Sequence, residues 1–215
     1  MKTILFLITV LLTTVNISTA REWVISIPIK GVKMVSTKGL KSPKWFISKF
    51  NVVNMTNLSF FNHNYIGPYK DSLNYDLRNP KKWPFISIDT FCTEDGNDSL
   101  GIIFYNDLSV PNKNSRFIAS GTPLILKDGV EQPIKRNGFT LAKRPRTVIG
   151  NNNNDSILIY VSSAIRIIDM PKRLKNLGFK NAMNLDGGGS TFLYRDSVYV
   201  YRQKKLRSYP NILTW

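Results

Sequence analysis

The sequence predicts an α+β domain: a mixed, mainly antiparallel twisted sheet with a few flanking helices, in a single unit. Short apolar or alternating runs recur along the chain between Gly, Pro, Asn and Asp turn signals, as strands do. Only the stretch around Asp169 carries the start, spacing and stop of a firm helix. The 215 residues suit one domain at about 100 to 200 residues each.

Residues 1–20 read as a removable leader. Lys2 is followed by an apolar run from Ile4 to Val15 and then by Ser18, Thr19 and Ala20, the small residues of a signal-peptidase site, which places cleavage between Ala20 and Arg21. The run is shorter than the ~20 residues that cross a bilayer. The expectation is an exported protein, periplasmic or secreted, whose domain spans 21–215 and has no membrane span after cleavage.

"WVISIPI" (Trp23 to Ile29) alternates as a strand does, and Pro28 marks it as an edge. "PKWFISKF" (Pro43 to Phe50) is a short helix leading into a strand at Val52 and Val53. Asn62 to Pro84, rich in Asn, Tyr, Pro and Asp, is a long loop. Strands follow at "FISID" and "GIIFY", and "TPLILKDGV" is a strand that ends in an Asp128-Gly129 turn. "PRTVIG" and "SILIYV" are strands joined by the polar loop "NNNND". "DMPKRLKNLGF" has Asp169 and Pro171 at its start, Leu174 and Leu177 at helical spacing, and Gly178 as its stop. "NAMNL" is a buried strand that delivers Asp186 to its C-terminal end. "STFLYR" and "SVYVYR" form a hairpin, and "NILTW" is the last strand.

Thirty Lys and Arg against 14 Asp and Glu give a formal charge of +16, or +15 once the leader with Lys2 is removed. Such a surface attracts polyanions. Its basic residues are dispersed apart from "KRPR" and "RQKKLR", and no nucleic-acid signature accompanies them, so nucleic acid is not expected; phosphate-bearing envelope glycans or glycolipids are at least as natural a partner, with a merely soluble basic face as the plainer alternative. Cys92 and His63 are the sole residues of their kinds, which rules out an internal disulfide and a Cys/His zinc cluster. "HExxH" and "GxSxG" are absent. Neither metal nor cofactor is assigned.

The distinctive stretch is "NAMNLDGGGSTFLY", from Asn181 to Tyr194: a carboxylate at a strand end, three glycines, then two hydroxyls. Glycines allow close ligand approach, and their amides can form a concave anion nest within reach of Ser190 and Thr191. The spacing is not that of a Walker loop, since no lysine follows. A tight turn between two strands is the plainer alternative.

With "KRPRTVIG" upstream and "VNMTNLSFFN" near the start, this stretch resembles the phosphodiester glycosidase domain family, over roughly Phe50 to Trp215. The resemblance maps Asn57, Phe60 and Phe61 onto an N-x-x-F-F motif. Arg146, Thr147 and Gly150 fall on an R-T-x-x-G motif, and Asn184, Asp186, Gly187, Gly188, Gly189 and Ser190 on N-L-D-G-G-G-S. "ASGTPLILKDG" (Ala119 to Gly129) is similar to the segment before the arginine motif. The chain departs from the family at Ser162 and Ser163, where many members carry Asp-Gly.

The resemblance implies hydrolysis between a sugar's anomeric carbon and a phosphodiester, through an oxocarbenium-like state that a carboxylate stabilises or captures. Asp186 is the candidate for that role or for activating water. Arg146 is the candidate phosphate ligand, with a structural salt bridge as its alternative. Asn57 and Asn184 are candidates to bind sugar hydroxyls or to cap turns, and Phe60 and Phe61 to stack on the sugar or to fill the core. Thr147, Gly187 to Ser190 and Thr191 complete the substrate set. His63 stands beside the first motif. A second carboxylate is open among Asp71, Asp76, Asp89 and Asp128. The rival classes are a non-catalytic domain for anionic glycans and a metal-dependent phosphodiesterase that cuts the P–O bond.

Overall fold

The structure, a computed structural model, describes residues 20–62, 64–65, 69–70, 75–76, 84–92, 98–105, 115, 117–152 and 155–215. Residues 1–19, where the leader is expected, and His63 and Asp71 lie outside these residues. No helix among the described residues is long and apolar enough to cross a membrane.

The first half of the chain runs β1 (Glu22–Pro28), β2 (Lys33–Lys41), α1 (Pro43–Phe50), β3 (Met55–Asn57) and four two-residue strands, β4 (Phe61–Asn62), β5 (Asn64–Tyr65), β6 (Tyr69–Lys70) and β7 (Tyr75–Asp76). β8 (Phe85–Cys92), β9 (Asp98–Tyr105), β10 (Phe117–Ser120), β11 (Leu124–Lys127) and β12 (Val130–Glu131) follow. The second half has α2 (Gly138–Leu141), β13 (Arg144–Asn151), β14 (Ser156–Ile165), α3 (Met170–Asn176), β15 (Asn181–Asn184), β16 (Phe192–Arg195), β17 (Val198–Arg202) and β18 (Tyr209–Thr214).

Three sheets result, ordered β1-β14-β13-β15-β11-β12, β7-β6-β10-β8-β9 and β17-β16-β3-β18-β2, with β4 and β5 paired apart. The α+β class stands. Within it every pairing of the described strands is antiparallel, so the sheets are not mixed. The strand expected at Val52 and Val53 starts later, at Met55, because α1 ends in a left-handed residue, Asn51 (φ 50°), and the chain needs a further turn before it can extend. The loop expected over Asn62 to Pro84 contains β5, β6 and β7 among its described residues.

The six-stranded sheet is apolar on both faces. On one face Ile149, Ile157, Ile159, Val161 and Met183 join Ile86, Ile88 and Ile102 of the second sheet and Leu193 and Leu213 of the third in a central core. On the other face Val148, Leu158, Tyr160 and Ala182 pack under Met170 and Leu174 of α3. This explains why "SILIYV" is apolar without alternation: a strand covered on both sides has no solvent face. The third sheet alternates in the same way, with Leu213 inward and Phe192, Tyr209 and Ile212 against Phe46 of α1.

The two longer helices, α1 and α3, start and stop as their sequences dictate. Ser42 caps α1 by accepting from the Trp45 amide at 3.3 Å, and Pro43 occupies the first turn. Past α3, Gly178 takes φ 85°, which ends it. Gly150 of β13 is required for a different reason: a Cβ there would collide with the Asn181 carbonyl and the Phe179 ring. Because Gly150 pairs with Ala182 across β15, the collision has no cheap escape. Gly150→Ala is expected to lose about 3 kcal/mol, the upper end for overpacking, read as a lower midpoint in urea unfolding. A loss under about 0.5 kcal/mol would contradict the packing described.

Candidate functional site

β15 lies between β13 and β11, and past Asn184 the chain leaves the sheet. Val148 pairs with Asn184 and Arg146 with Ser162, so Asp186, two residues beyond Asn184, continues the row opposite Arg146. Ser162, Arg146 and Asp186 thus stand in line on the face that carries α2 and α3. Ser162, one of the two positions at which a departure from the family is expected, is the direct cross-strand neighbour of Arg146. The Ser162 hydroxyl accepts from the Ala164 amide at 3.3 Å, and no carboxylate stands at that register position.

Asp186 is held by main chain and side chain together. Its amide donates to Leu58 O at 3.2 Å, its carbonyl accepts from Asn57 Nδ2 at 2.5 Å, and its Oδ1 accepts from the Gly187 amide at 2.9 Å. Burial pushes its carboxyl above the usual carboxylate range, and hydrogen bonds from Ser190 and Gly187 with the charges of Arg207 and Arg146 pull the other way. The net is a partly buried carboxylate that gains a proton more readily than a solvated one.

Arg146 is 1% exposed, yet no carboxylate pairs with it among the described residues. Nη2 donates to the carbonyls of Phe139 (2.8 Å) and Ala142 (3.2 Å), and the guanidinium lies 4.7 Å from the centre of the Phe139 ring. Nε is buried without a partner. Burial, and Arg144 nearby, pull the guanidinium down to about 10, with Asp186 opposing, so it keeps its charge at neutral pH. The salt bridge offered as its structural alternative is not formed among the described residues: it is fastened to the α2 turn by carbonyls, with its Nε left unpartnered.

Asn57 is fully buried. Its Oδ1 accepts from Thr147 Oγ1 at 2.8 Å and from the Phe192 amide at 3.3 Å, and its Nδ2 holds Asp186 O. One side chain therefore ties together all three motifs found in the sequence. Asn184 Nδ2 donates to Thr122 O at 2.7 Å, while its Oδ1 is buried and unpartnered, as is Thr191 Oγ1. Of seven such buried orphan atoms among the described residues, those of Arg146, Asn184 and Thr191 lie in or directly after the two motifs that carry Arg146 and Asp186. Phe60 is partly buried, 6.2 Å from Phe139 ring to ring. The side chain of Phe61 lies outside the described residues.

The glycines divide their work. Gly187 must be small, since a Cβ would sit 3.0 Å from Pro145 O and 3.4 Å from Arg146 Cδ. Gly188 takes φ 59°, which opens the short 3-10 turn Gly188–Ser190. Gly189 is exposed and looks toward Arg207. Ser190 and Thr191 amides close the turn onto Gly187 O and Gly188 O, whereas those of Gly188 and Gly189 have no acceptor among the described residues.

Two residues of this neighbourhood escaped the sequence reading. Arg207 donates to Ser190 Oγ at 3.4 Å and acts on Asp186 through its charge. It belongs to "RQKKLR", which sequence alone showed only as a charge cluster. Phe139 stands 39% exposed against Arg146, on a turn whose capping box, Asn137 with Thr140, was the one legible signal. Of the carboxylates left open, Asp128 is exposed in the β11–β12 turn, its amide on Asn181 at the far end of β15. Asp89 is buried in β8 of another sheet. The side chain of Asp76 lies outside the described residues.

The family model for phosphodiester glycosidases matches residues 59–214. The chain belongs to that family. The matched span takes in Arg146 and Asp186 and begins two residues after Asn57. In fold the protein is similar to the catalytic domain of zebrafish N-acetylglucosamine-1-phosphodiester alpha-N-acetylglucosaminidase, auto-inhibited by its pro-peptide, with TM-score 0.67 and 14% identity over 91% of this chain and 82% of that one. It is also similar to a hypothetical protein from Synechocystis (0.64, 12%, 90% and 58%) and to a protein of Burkholderia pseudomallei K96243 (0.59, 10%, 89% and 72%). No curated protein matches the chain. Among the described residues, no group of three or more His, Cys, Asp or Glu is placed to hold a metal ion.

Proposed function

We propose that this protein is an exported hydrolase that cleaves between the anomeric carbon of a sugar and a phosphodiester, with Asp186 meeting the anomeric carbon. The observation that carries the reading is the setting of that carboxylate. It is fastened on its main chain, acted on by the charges of two arginines outside any described ion pair, and set in a motif whose Asn184 carries a buried polar atom without a partner. Buried polar groups are ordinarily satisfied, so orphans on both Arg146 and Asn184 of these motifs fit a site that a ligand completes.

In this reading Asp186 stabilises or captures the oxocarbenium-like centre, or draws a proton from the attacking water. The departing phosphate is already a stable anion and needs no strong acid. The Gly188 and Gly189 amides, which have no acceptor among the described residues, and the charge of Arg146 receive its oxygens in this reading. Asn57 and Thr147 position Asp186 and do not touch the sugar, because their hydrogen bonds are taken within the protein. Phe60 and Phe139 offer the apolar wall. Envelope glycans or glycolipids with phosphodiester-linked sugars fit the basic surface.

The test is a panel of sugar 1-phosphodiesters, expected to yield free sugar and a phosphomonoester. Because the Asp186 pKa is raised, activity that needs the carboxylate is present above that value and lost as pH falls through it. The acid limb of kcat/KM is expected above the range of an ordinary carboxylate. A limb at or below that range would contradict the role given to Asp186. Ser162 favours one second reading: with no carboxylate on the β14 side of Arg146, the domain binds anionic glycans and turns nothing over. Binding that depends on Arg146, with no product from any member of the panel, would support it.

A further inference from the structure

The segment between β17 and β18, residues 203–208, runs beside the glycine loop and is fastened there. Arg207 Nη1 reaches Ser190 Oγ, Tyr209 OH donates to Ser190 O at 2.9 Å, and a Cβ on Gly189 would lie 3.6 Å from Arg207 Nε. Arg202, Lys204, Lys205 and Arg207 are all exposed, and none pairs with an acid among the described residues. No Asp or Glu follows Asp196 in the sequence. A cluster of solvated cations is usually only a soluble face. Its position separates this one from that case.

Arg146 closes one side of Asp186: it is 1% exposed and lies against Phe139 and the α2 turn. Gly189 and Arg207 form the exposed side. A phosphodiester held with its sugar at Asp186 therefore sends its other substituent out over Gly189, past Arg207 and onto Lys204 and Lys205. Between the two lysines and Arg207, Leu206 turns inward and packs with the core under α1, so the strap itself shows no apolar anchor; the exposed Val198 and Val200 beside Arg202 belong to β17, and the vesicle arm below tests them. It shows no exposed aromatic for base stacking either.

We infer that Arg207, with Arg202, Lys204 and Lys205 behind it, is the leaving-group subsite, and that the substrate is a sugar 1-phosphodiester whose remainder is itself a polyanionic chain. This rests on the role given to Asp186. Arg207 takes the scissile phosphate from the open side, and the other cations hold the next negative charges.

The experiment compares two diesters of one sugar 1-phosphate, one ending in a methyl group and one in an oligomer of phosphodiester units, across a salt series. Charge focusing raises association by ~10- to 1,000-fold at low salt, so the oligomer is expected to show kcat/KM at least about tenfold higher, converging with the methyl diester as salt rises. Lys204→Ala with Lys205→Ala is expected to shrink the ratio of the two values. Arg207→Ala lowers both, and Arg207→Lys restores part. Turnover of the two diesters at equal efficiency at low salt overturns the subsite and leaves Asp186 standing. Absence of turnover on both overturns the role of Asp186 instead. The subsite is then read by titrating the oligomer onto Asp186→Asn, where a Kd unchanged by the double substitution overturns it. Binding to anionic lipid vesicles without binding to the free oligomer also overturns it, in favour of a membrane surface.

Discussion

Asp186→Asn is expected to abolish turnover of sugar 1-phosphodiesters while raising the melting temperature at neutral pH. The first effect follows from chemistry: the amide neither captures the anomeric centre nor takes a proton from water, and loss of such a group costs at least about 100-fold. The second follows from linkage. The folded pKa of Asp186 is raised above its unfolded value, mainly by burial. A group of that kind gives its full stability below the unfolded pKa and loses it as pH rises through the folded one. Asparagine does not titrate, accepts from the Gly187 amide in the same way, and escapes the loss. The two melting curves are expected to converge below about pH 4, where both states of the wild type are protonated. A variant that is inactive and less stable at neutral pH would point to a structural carboxylate.

Asn57→Ala is expected to be the most damaging single change to the fold near the site. Alanine leaves the Thr147 hydroxyl, the Phe192 amide and the Asp186 carbonyl without their partner. At ~1 to 3 kcal/mol for each buried group left unsatisfied, the loss is at least about 3 kcal/mol in chemical denaturation. Asp186 also loses the bond that holds its carbonyl, so activity measured on the folded fraction is expected to fall as well, chiefly in kcat. Asn57→Asp keeps the acceptor and loses the donor, and should retain part of the stability. If Asn57→Ala unfolds at the wild-type midpoint, the tie between the three motifs is not what holds them.

Much of the local structure was legible. α1 spans Pro43–Phe50 as its cap and proline dictate, and Gly178 stops the helix as expected. The Asp128–Gly129 turn, with φ of 51° and 78°, joins β11 to β12. The placing of Asp186 just past the end of β15 was legible too, since an apolar run followed by three glycines leaves few other readings. What local pattern does not hold is distance. β2 is lysine-rich and contains Gly39, and it is a strand because β18, more than 160 residues later, pairs with it. Arg207 reaches the glycine loop only because β18 lies beside β3, which brings the end of the chain back to its start. The role of Asn57 was hidden for the same reason. A buried asparagine with three long-range partners has the same letter as one that binds a sugar.

The most direct test of the account is the site of oxygen incorporation. Turnover in oxygen-18 water, analysed by mass spectrometry of both products, is expected to place the label on the anomeric oxygen of the released sugar and none on the phosphate, as cleavage of the C–O bond requires. Label on the phosphate, with the anomeric oxygen unlabelled, would mean attack at phosphorus and would contradict the role assigned to Asp186.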